Sequence, residues 1–324
     1  MRKKYVIIFT ILCCILFLGG IIGEKFFSQY SLKGFFLDNP LEEPIYVNID
    51  NNLDDVEYKK ISKLIYNLRD KGIDVKLNKQ DDARDENLSL YVASSYHNMP
   101  QVRNKNSINI LWVPYVSPSD DFEKYRDFDV IVVKSIASFS HLKAINVRTA
   151  FIPDGIDIKS NNKKNNGKVM FYGDNKEFSL SLFLSRNLNI DIFGNNWEHT
   201  EYKHKIKAKS AKKSDILSYL MVLVDQSDEN IHENIVNNKV IEILEMGAVP
   251  LLRYNPGIQK MFGDTVPMYY NEDDFYVKFN MLLRENNKVS KIKQDIENVS
   301  YKWNSSMVAN KFIELFQIMK QKRI

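Results

Sequence analysis

Short, unbroken apolar runs separated by helical stretches constrain this chain more than any other feature. "LSLYVAS", "INILWVPYV" and "FDVIVVKS" lie between residues 88 and 135, and "KVMFYGD", "NIDIFGN" and "MVLVDQS" between 168 and 227. A strand with one wet face alternates apolar and polar residues, whereas a continuous run suits a strand covered on both faces. Such runs alternating with helices predict parallel sheets with helices on both sides, the α/β class. "DDVEYKKISKLIYNLRDKGI" supplies one such helix, with Val56, Ile61, Leu64, Ile65 and Leu68 inward. At 324 residues, 44% of them hydrophobic and 27% charged, the chain suffices for two globular domains.

The units fall into two sets. The first occupies residues 44–157, opening on the strand "EPIYVNID". "AFIPDGIDIKSNNKKNNGK" then reads as a strand end, a Pro-Asp-Gly turn and a polar linker. The second set occupies 158–300, and "WNSSMVANKFIELFQIMKQKRI" places Met307, Val308, Phe312, Leu315, Phe316 and Met319 on one stripe of a helix over 301–324. That stripe suits a helix capping the second domain.

Ahead of both, Arg2, Lys3 and Lys4 precede nineteen uncharged residues from Tyr5 to Gly23. A run of that length suffices to cross a bilayer, which takes about 20 residues. It predicts an N-terminal membrane anchor over residues 1–30; a cleaved signal peptide is the alternative, although "GGIIGEKFF" lacks a clean small-x-small site. Positive charge before the span puts the N-terminus in the cytoplasm, a single-pass type II arrangement, against which Lys25 and Lys33 weigh. The rest of the chain then faces a Golgi- or ER-like lumen, or, if the orientation is the reverse, the cytoplasmic side of an inner membrane. Both cysteines, Cys13 and Cys14, lie in that run, so the remainder forms no disulfide.

"NNKVIEILEMGAVPLLRYNPG" (237–257) reads as a helix with Val240, Ile241 and Leu244 inward, stopped by Gly247, then a short strand and the turn Asn255-Pro256-Gly257. Lys239 and Glu242 lie one turn apart on its other face. They make either an i,i+3 pair on a wet face or a binding pair, since a carboxylate accepts both hydroxyls of a ribose and a lysine suits an adjacent diphosphate. In open parallel sheets ligands bind beyond the carboxyl ends of the strands. Three loops there carry glycine: Gly173-Asp174-Asn175, Gly194-Asn195-Asn196 and Asn255-Pro256-Gly257. Glycine lets backbone N–H groups approach a phosphate; more often it only turns the chain.

"FIPDGID", "KVMFYGDNKEFS", "IDIFGNNWE", "DILSYLMVLVDQS" and "NNKVIEILEMGAVPLLRYNPGIQKMFGD" follow in an order and spacing that resembles the C-terminal nucleotide-binding domain of GT-B glycosyltransferases, nearest to the group 1 type that includes CgeB-like proteins. The resemblance covers residues 108–285. It implies two Rossmann-like domains behind the N-terminal transmembrane helix, with the last helix packing back toward the first domain. It also implies transfer of a sugar from a nucleotide-sugar donor to a glycan, lipid-linked or protein acceptor, without a metal or other cofactor. By motif, Glu242 matches the glutamate that lies five residues before a glycine and binds the donor ribose; Lys239 matches a basic position, and Gly173 the first-loop glycine, with Lys176 nearby. The acid expected eight residues before Glu242 is Asn234 here, with Glu233 one step off.

"DQSDENIHENIVNNKVIEILEMGAVPLL" followed by "EDDF" is also similar to the donor region of α1,3-fucosyltransferases, which implies GDP-fucose as an alternative donor; their acid before the lysine is Asn238 here. The catalytic base is left open: Asp120, Asp121 and His97 read first as surface residues. Trp112 and Tyr115, at a strand end facing the expected cleft, are acceptor-binding candidates that read first as core residues.

From 158 to 213 there are twelve Lys or Arg against five acids. That run is a solvated surface or a face for an anionic partner; no nucleic-acid-binding motif accompanies it. A degenerate, non-catalytic binding module is the rival class, and it predicts that loss of Glu242 leaves function intact.

Overall fold

The strand runs assemble into two sheets. The computed structural model describes residues 41–50, 53–78, 87–95, 98–102, 104–159, 165–175, 188–224 and 234–323. In it β1 (Ile45–Ile49), β2 (Val75–Asn78), β3 (Leu88–Val92), β4 (Ile108–Val113), β5 (Val130–Val133) and β6 (Thr149–Phe151) form one sheet in the order β2-β1-β3-β4-β5-β6. Every neighbouring pair is parallel. The second sheet contains β7 (Val169–Tyr172), β8 (Ile190–Phe193), β9 (Ile206–Ala208), β10 (Met221–Val224), β11 (Pro250–Arg253) and β12 (Met268–Tyr269) in the order β12-β11-β10-β7-β8-β9, again all parallel.

Continuous apolar runs do what parallel sheets need. Every residue of β3, β4, β5 and β10 is buried. Alternate residues of the second sheet feed separate cores: Val169, Phe171, Leu223 and Leu251 on one face, Met170, Val222, Val224 and Leu252 on the other. β9 has no such run and was not legible as a strand; it is an edge, and its Lys207 needs no cover.

The helices are α1 (Asp55–Asp70), α2 (Ile136–Ala144), α3 (Lys213–Ile216), α4 (Asn238–Glu245), α5 (Pro256–Phe262), α6 (Glu272–Arg284), α7 (Asn286–Ser300) and α8 (Ser305–Arg323). α1 starts where the Asp54 carboxylate accepts the Glu57 N–H at 2.7 Å. Ile61, Leu64, Ile65 and Leu68 are buried as expected, but Val56 is 48% exposed. It sits in the first turn, which overhangs a cleft instead of the sheet.

Chain order reverses in the second sheet between β7 and β10, the place where an open sheet leaves a crevice beyond its strand ends. The first sheet reverses at β1 and β3. Residues 43–324 form one compact unit. Two segments join its halves and run side by side: the Ile156 N–H donates to the Trp303 carbonyl at 2.8 Å, and the Ser305 N–H to Asp157 at 2.9 Å. α8 then packs against α1 and β4, with Val308, Phe312, Phe316 and Met319 buried and Phe312 edge-on to Trp112 at 5.2 Å.

Gly155 is fixed by this crossing, because a Cβ there would come within 2.5 Å of the Ser305 backbone. Gly155→Ala is expected to destabilise the fold by about 1–3 kcal/mol, measured by urea unfolding, since backbone cannot yield as a side chain does. A neutral result would mean that the two segments move apart freely.

Among the described residues no helix is long and apolar enough to cross a membrane. The uncharged run at 5–23 lies outside them.

Candidate active site

Helix α4 is the element on which the site turns. The Asn237 side chain accepts the Lys239 N–H at 2.8 Å and caps its start, and Gly247, at φ 77°, ends it. Val240, Ile241, Ile243 and Leu244 are buried against the sheet. The opposite face, carrying Lys239, Glu242 and Glu245, opens on a cleft of about 480 Å³ whose other wall is α1, α8 and the end of β4.

Glu242 is partly buried there. Burial pushes its pKa up, and Glu245 adds to this; a hydrogen bond from the Tyr172 hydroxyl and the charge of Lys239 pull it back, leaving it raised. The Lys239 ammonium lies 5.9 Å from the Tyr172 ring centre. Lys239, Glu242 and Tyr172 thus converge at the carboxyl end of β7.

Beside them is a closed ring of four ion pairs. Lys60 meets Glu57 at 3.0 Å and Asp154 at 2.7 Å; Lys134 meets Glu57 at 2.7 Å and Asp154 at 2.8 Å. All four side chains are at most 18% exposed, so the charges have little access to water and depend on one another. Burial pushes Asp154 up, but the Lys134 and Lys60 ammonium groups overcome it and hold its pKa at about 2. Burial likewise pushes Lys134 down, and Asp154 and Glu57 leave it raised. Lys60 also donates to the Asn238 side chain at 2.6 Å, tying the first turn of α4 to α1. One turn further along α1, Lys63 meets Asp157 and Glu245, each at 2.8 Å. A second chamber of about 310 Å³ adjoins the ring, lined by Glu57, Lys134, Asp154 and Asn237.

No family model matches the sequence, and no curated protein does. Solved structures do match. An α-glucosyltransferase, AGT, in complex with UDP superposes with TM-score 0.57 at 9% identity over 85% of this chain and 99% of its own. HepE of Anabaena in complex with UDP-glucose gives 0.55 at 10% identity over 84% and 99%. A TarM variant of S. aureus, in complex with fondaparinux, α-GlcNAc-glycerol and UDP, gives 0.51 at 14% identity over 70% of this chain and 55% of its own, so this chain spans about half of TarM. The chain has the GT-B fold.

Within the GT-B frame the sequence candidates separate. Lys239, Glu242 and Trp112 line the cleft together. The first two glycine loops are bound to each other: the Gly173 N–H donates to the Phe193 carbonyl, the Gly194 N–H to Ala208 and the Asn175 N–H to Asn195. Asp174 accepts the Asn195 N–H at 2.7 Å. These N–H groups, read from sequence as a phosphate cradle, are engaged within the sheet. Gly194 is required there, since a Cβ would lie 1.9 Å from the Gly173 carbonyl oxygen. Asn255 is buried; it caps α5 through the Ile258 N–H and donates to the Ile235 carbonyl, while Gly257 lies against Val236. Both therefore position the segment that leads into α4.

Trp112 does not offer an open ring. It is 2% exposed, with Lys134 4.7 Å from its ring centre and Phe312 against it, because β4 is a central strand covered by α8. Tyr115 does not line the cleft. Asp120 accepts the Ser117 N–H and the Tyr125 hydroxyl, and Asp121 caps the following turn, so both serve their own loop. His97 and Lys176 lie outside the described residues.

The reading from sequence missed Glu57, Lys60, Lys134 and Asp154. The only local signals were the α1 stripe of Glu57, Lys60 and Lys63 and the Pro-Asp-Gly turn at 153–155. Among the described residues no group of three or more His, Cys, Asp or Glu side chains is arranged to hold a metal.

Proposed function

We propose that this protein is a glycosyltransferase that moves a sugar from a nucleotide-sugar donor to a hydroxyl of a glycan, lipid-linked or protein acceptor. The observation that carries the reading is the position of Lys239 and Glu242 on the first turns of α4, facing the cleft of a GT-B fold. In this reading Glu242 accepts the ribose hydroxyls of the donor, with Tyr172 fixing the carboxylate. Lys239 and the N-terminal end of α4 face the diphosphate and stabilise the charge that grows on it as the bond from sugar C1 to phosphate oxygen breaks and the acceptor oxygen bonds to C1. The acceptor proton leaves with a base or with the departing phosphate. Side-chain and helix charge then suffice for the leaving group, and no metal is assigned.

UDP and UDP-glucose in the similar structures support a uridine nucleotide as the first donor to test. Gly173, Asp174, Asn175, Gly194, Asn255 and Gly257 shape the donor side of the site in this proposal. Residues 5–23 anchor the chain in a membrane.

The test is thermal stabilisation of the full chain by UDP-, GDP-, ADP- and CMP-linked sugars. One nucleotide is expected to raise the melting temperature, and at 100 times its Kd the gain is about 2.7 kcal/mol. Stabilisation by GDP-fucose alone would favour the fucosyltransferase-like reading, and no shift with any nucleotide would favour a binding module.

A further inference from the structure

The cleft leaves one feature of the sequence unabsorbed, the lysine run at 203–213. It holds six lysines and His204 and no acid. The structure places it on β9, the edge strand of the second sheet among the described residues, and on the turns flanking that strand. Ile206 packs into the core that contains Trp197 and Tyr202, while Lys203, Lys207, Lys209, Lys212 and Lys213 are exposed, with Lys168 exposed nearby.

The acids around this edge offset it only in part. Asp191 takes Lys207 at 3.4 Å and Lys168 at 4.0 Å, and Glu198 takes Lys209 at 3.8 Å. Asp215 turns to the Lys212 N–H at 2.9 Å, and Glu201 flanks the run beside Tyr202. One or two lysines suffice to keep an edge strand from pairing with another chain. A run of this density makes a cationic face.

We propose that this edge docks the protein on an anionic lipid surface. All its cations on the run are lysines, point charges that suit headgroup phosphates and lack the fork with which arginine reads bases. The neighbouring aromatics, Trp197 and Tyr202, are buried, so among the described residues no stacking platform for single-stranded nucleic acid accompanies the charge. The inference rests in part on the reading of residues 5–23 as an anchor, which brings the chain to a bilayer.

The experiment compares partition of the full chain onto phosphatidylcholine vesicles and onto vesicles of equal phosphatidylcholine and phosphatidylglycerol. Binding to the neutral vesicles reads the N-terminal segment; the excess on the anionic ones reads the edge. Each lysine at an anionic leaflet contributes roughly five-fold. Combining Lys207→Glu, Lys209→Glu, Lys212→Glu and Lys213→Glu is therefore expected to lower anionic partition at least about 100-fold at low salt and to leave neutral partition unchanged. None of these residues lines the cleft, so nucleotide-induced stabilisation, measured in parallel, stays at the wild-type level and separates failure of this idea from failure of the transferase reading. Should the Glu set not fold, the same four positions changed to Gln give a smaller loss in the same direction. Equal anionic partition of wild type and variant overturns the proposal, and tighter lysine-dependent binding to a single-stranded oligonucleotide overturns it in favour of nucleic acid.

Discussion

Lys134→Met is expected to destabilise the fold by about 3–5 kcal/mol, the usual cost of removing one partner from a buried ion pair. The loss comes from what remains. Glu57 and Asp154 each bond Lys134, and without it both carboxylates depend on Lys60 alone. The pH dependence identifies the mechanism. In the wild type, Asp154 has its pKa held at about 2, below its usual value of 3.8. Its contribution is therefore present above about pH 4 and is lost as pH falls toward 2. In the variant Asp154, left with Lys60 alone, takes up its proton at a higher pH than in the wild type, so the stability deficit shrinks as pH falls from 7 toward 4. Pairing Lys134→Met with Glu57→Gln restores the charge balance and is expected to recover part of the loss. Urea unfolding at several pH values reads all three outcomes. A deficit under about 1 kcal/mol would mean that water reaches the ring and screens it.

That ring also marks the boundary of what the sequence makes legible. Two of its four bonds join residues 77 and 94 positions apart, and the Lys60 contact to Asn238 spans 178. No local period encodes such pairing. The α/β class and most strands were readable for the opposite reason: burial on both faces of a parallel sheet leaves an unbroken apolar run within a single short segment. The stop at Gly247 was readable because its φ of 77° favours glycine. Trp112 was ambiguous because the residue that decides its environment, Phe312, lies 200 positions away. The glycine loops after β7 and β8 were legible as turns, but nothing local shows that their N–H groups are taken up within the sheet. Within α4 the wet face was legible, and the wall opposite it, built from α1 and α8, was not.

Glu242→Ala is expected to lower kcat/KM for the nucleotide-sugar donor by at least about 100-fold, because a carboxylate accepting two ribose hydroxyls makes two charge-assisted hydrogen bonds of about 1.5–3 kcal/mol each. The same change should leave the unliganded protein no less stable. Burial already pushes the Glu242 pKa up, so the ionised form is held at a cost that alanine removes. A structural salt-bridge residue behaves in the opposite manner, losing stability and keeping affinity, and that contrast decides between the two readings of Lys239 and Glu242. The pH profile adds a second discriminator. Donor affinity requires the carboxylate, so it is present above the Glu242 pKa and falls as pH drops through it, earlier than for an ordinary glutamate. Asp154, with its pKa held at about 2, remains charged there, so its ion pairs do not add to this fall. Glu242→Gln keeps the shape and one acceptor oxygen; it should bind donor weakly at every pH, with the acid-side decline gone. Calorimetric titration of UDP-glucose from pH 4 to 8, a window that includes the ordinary glutamate range, measures both curves. A wild-type affinity that is flat across that range, together with an alanine variant that binds as well as wild type, would remove Glu242 from the donor site and leave the cleft to some other ligand.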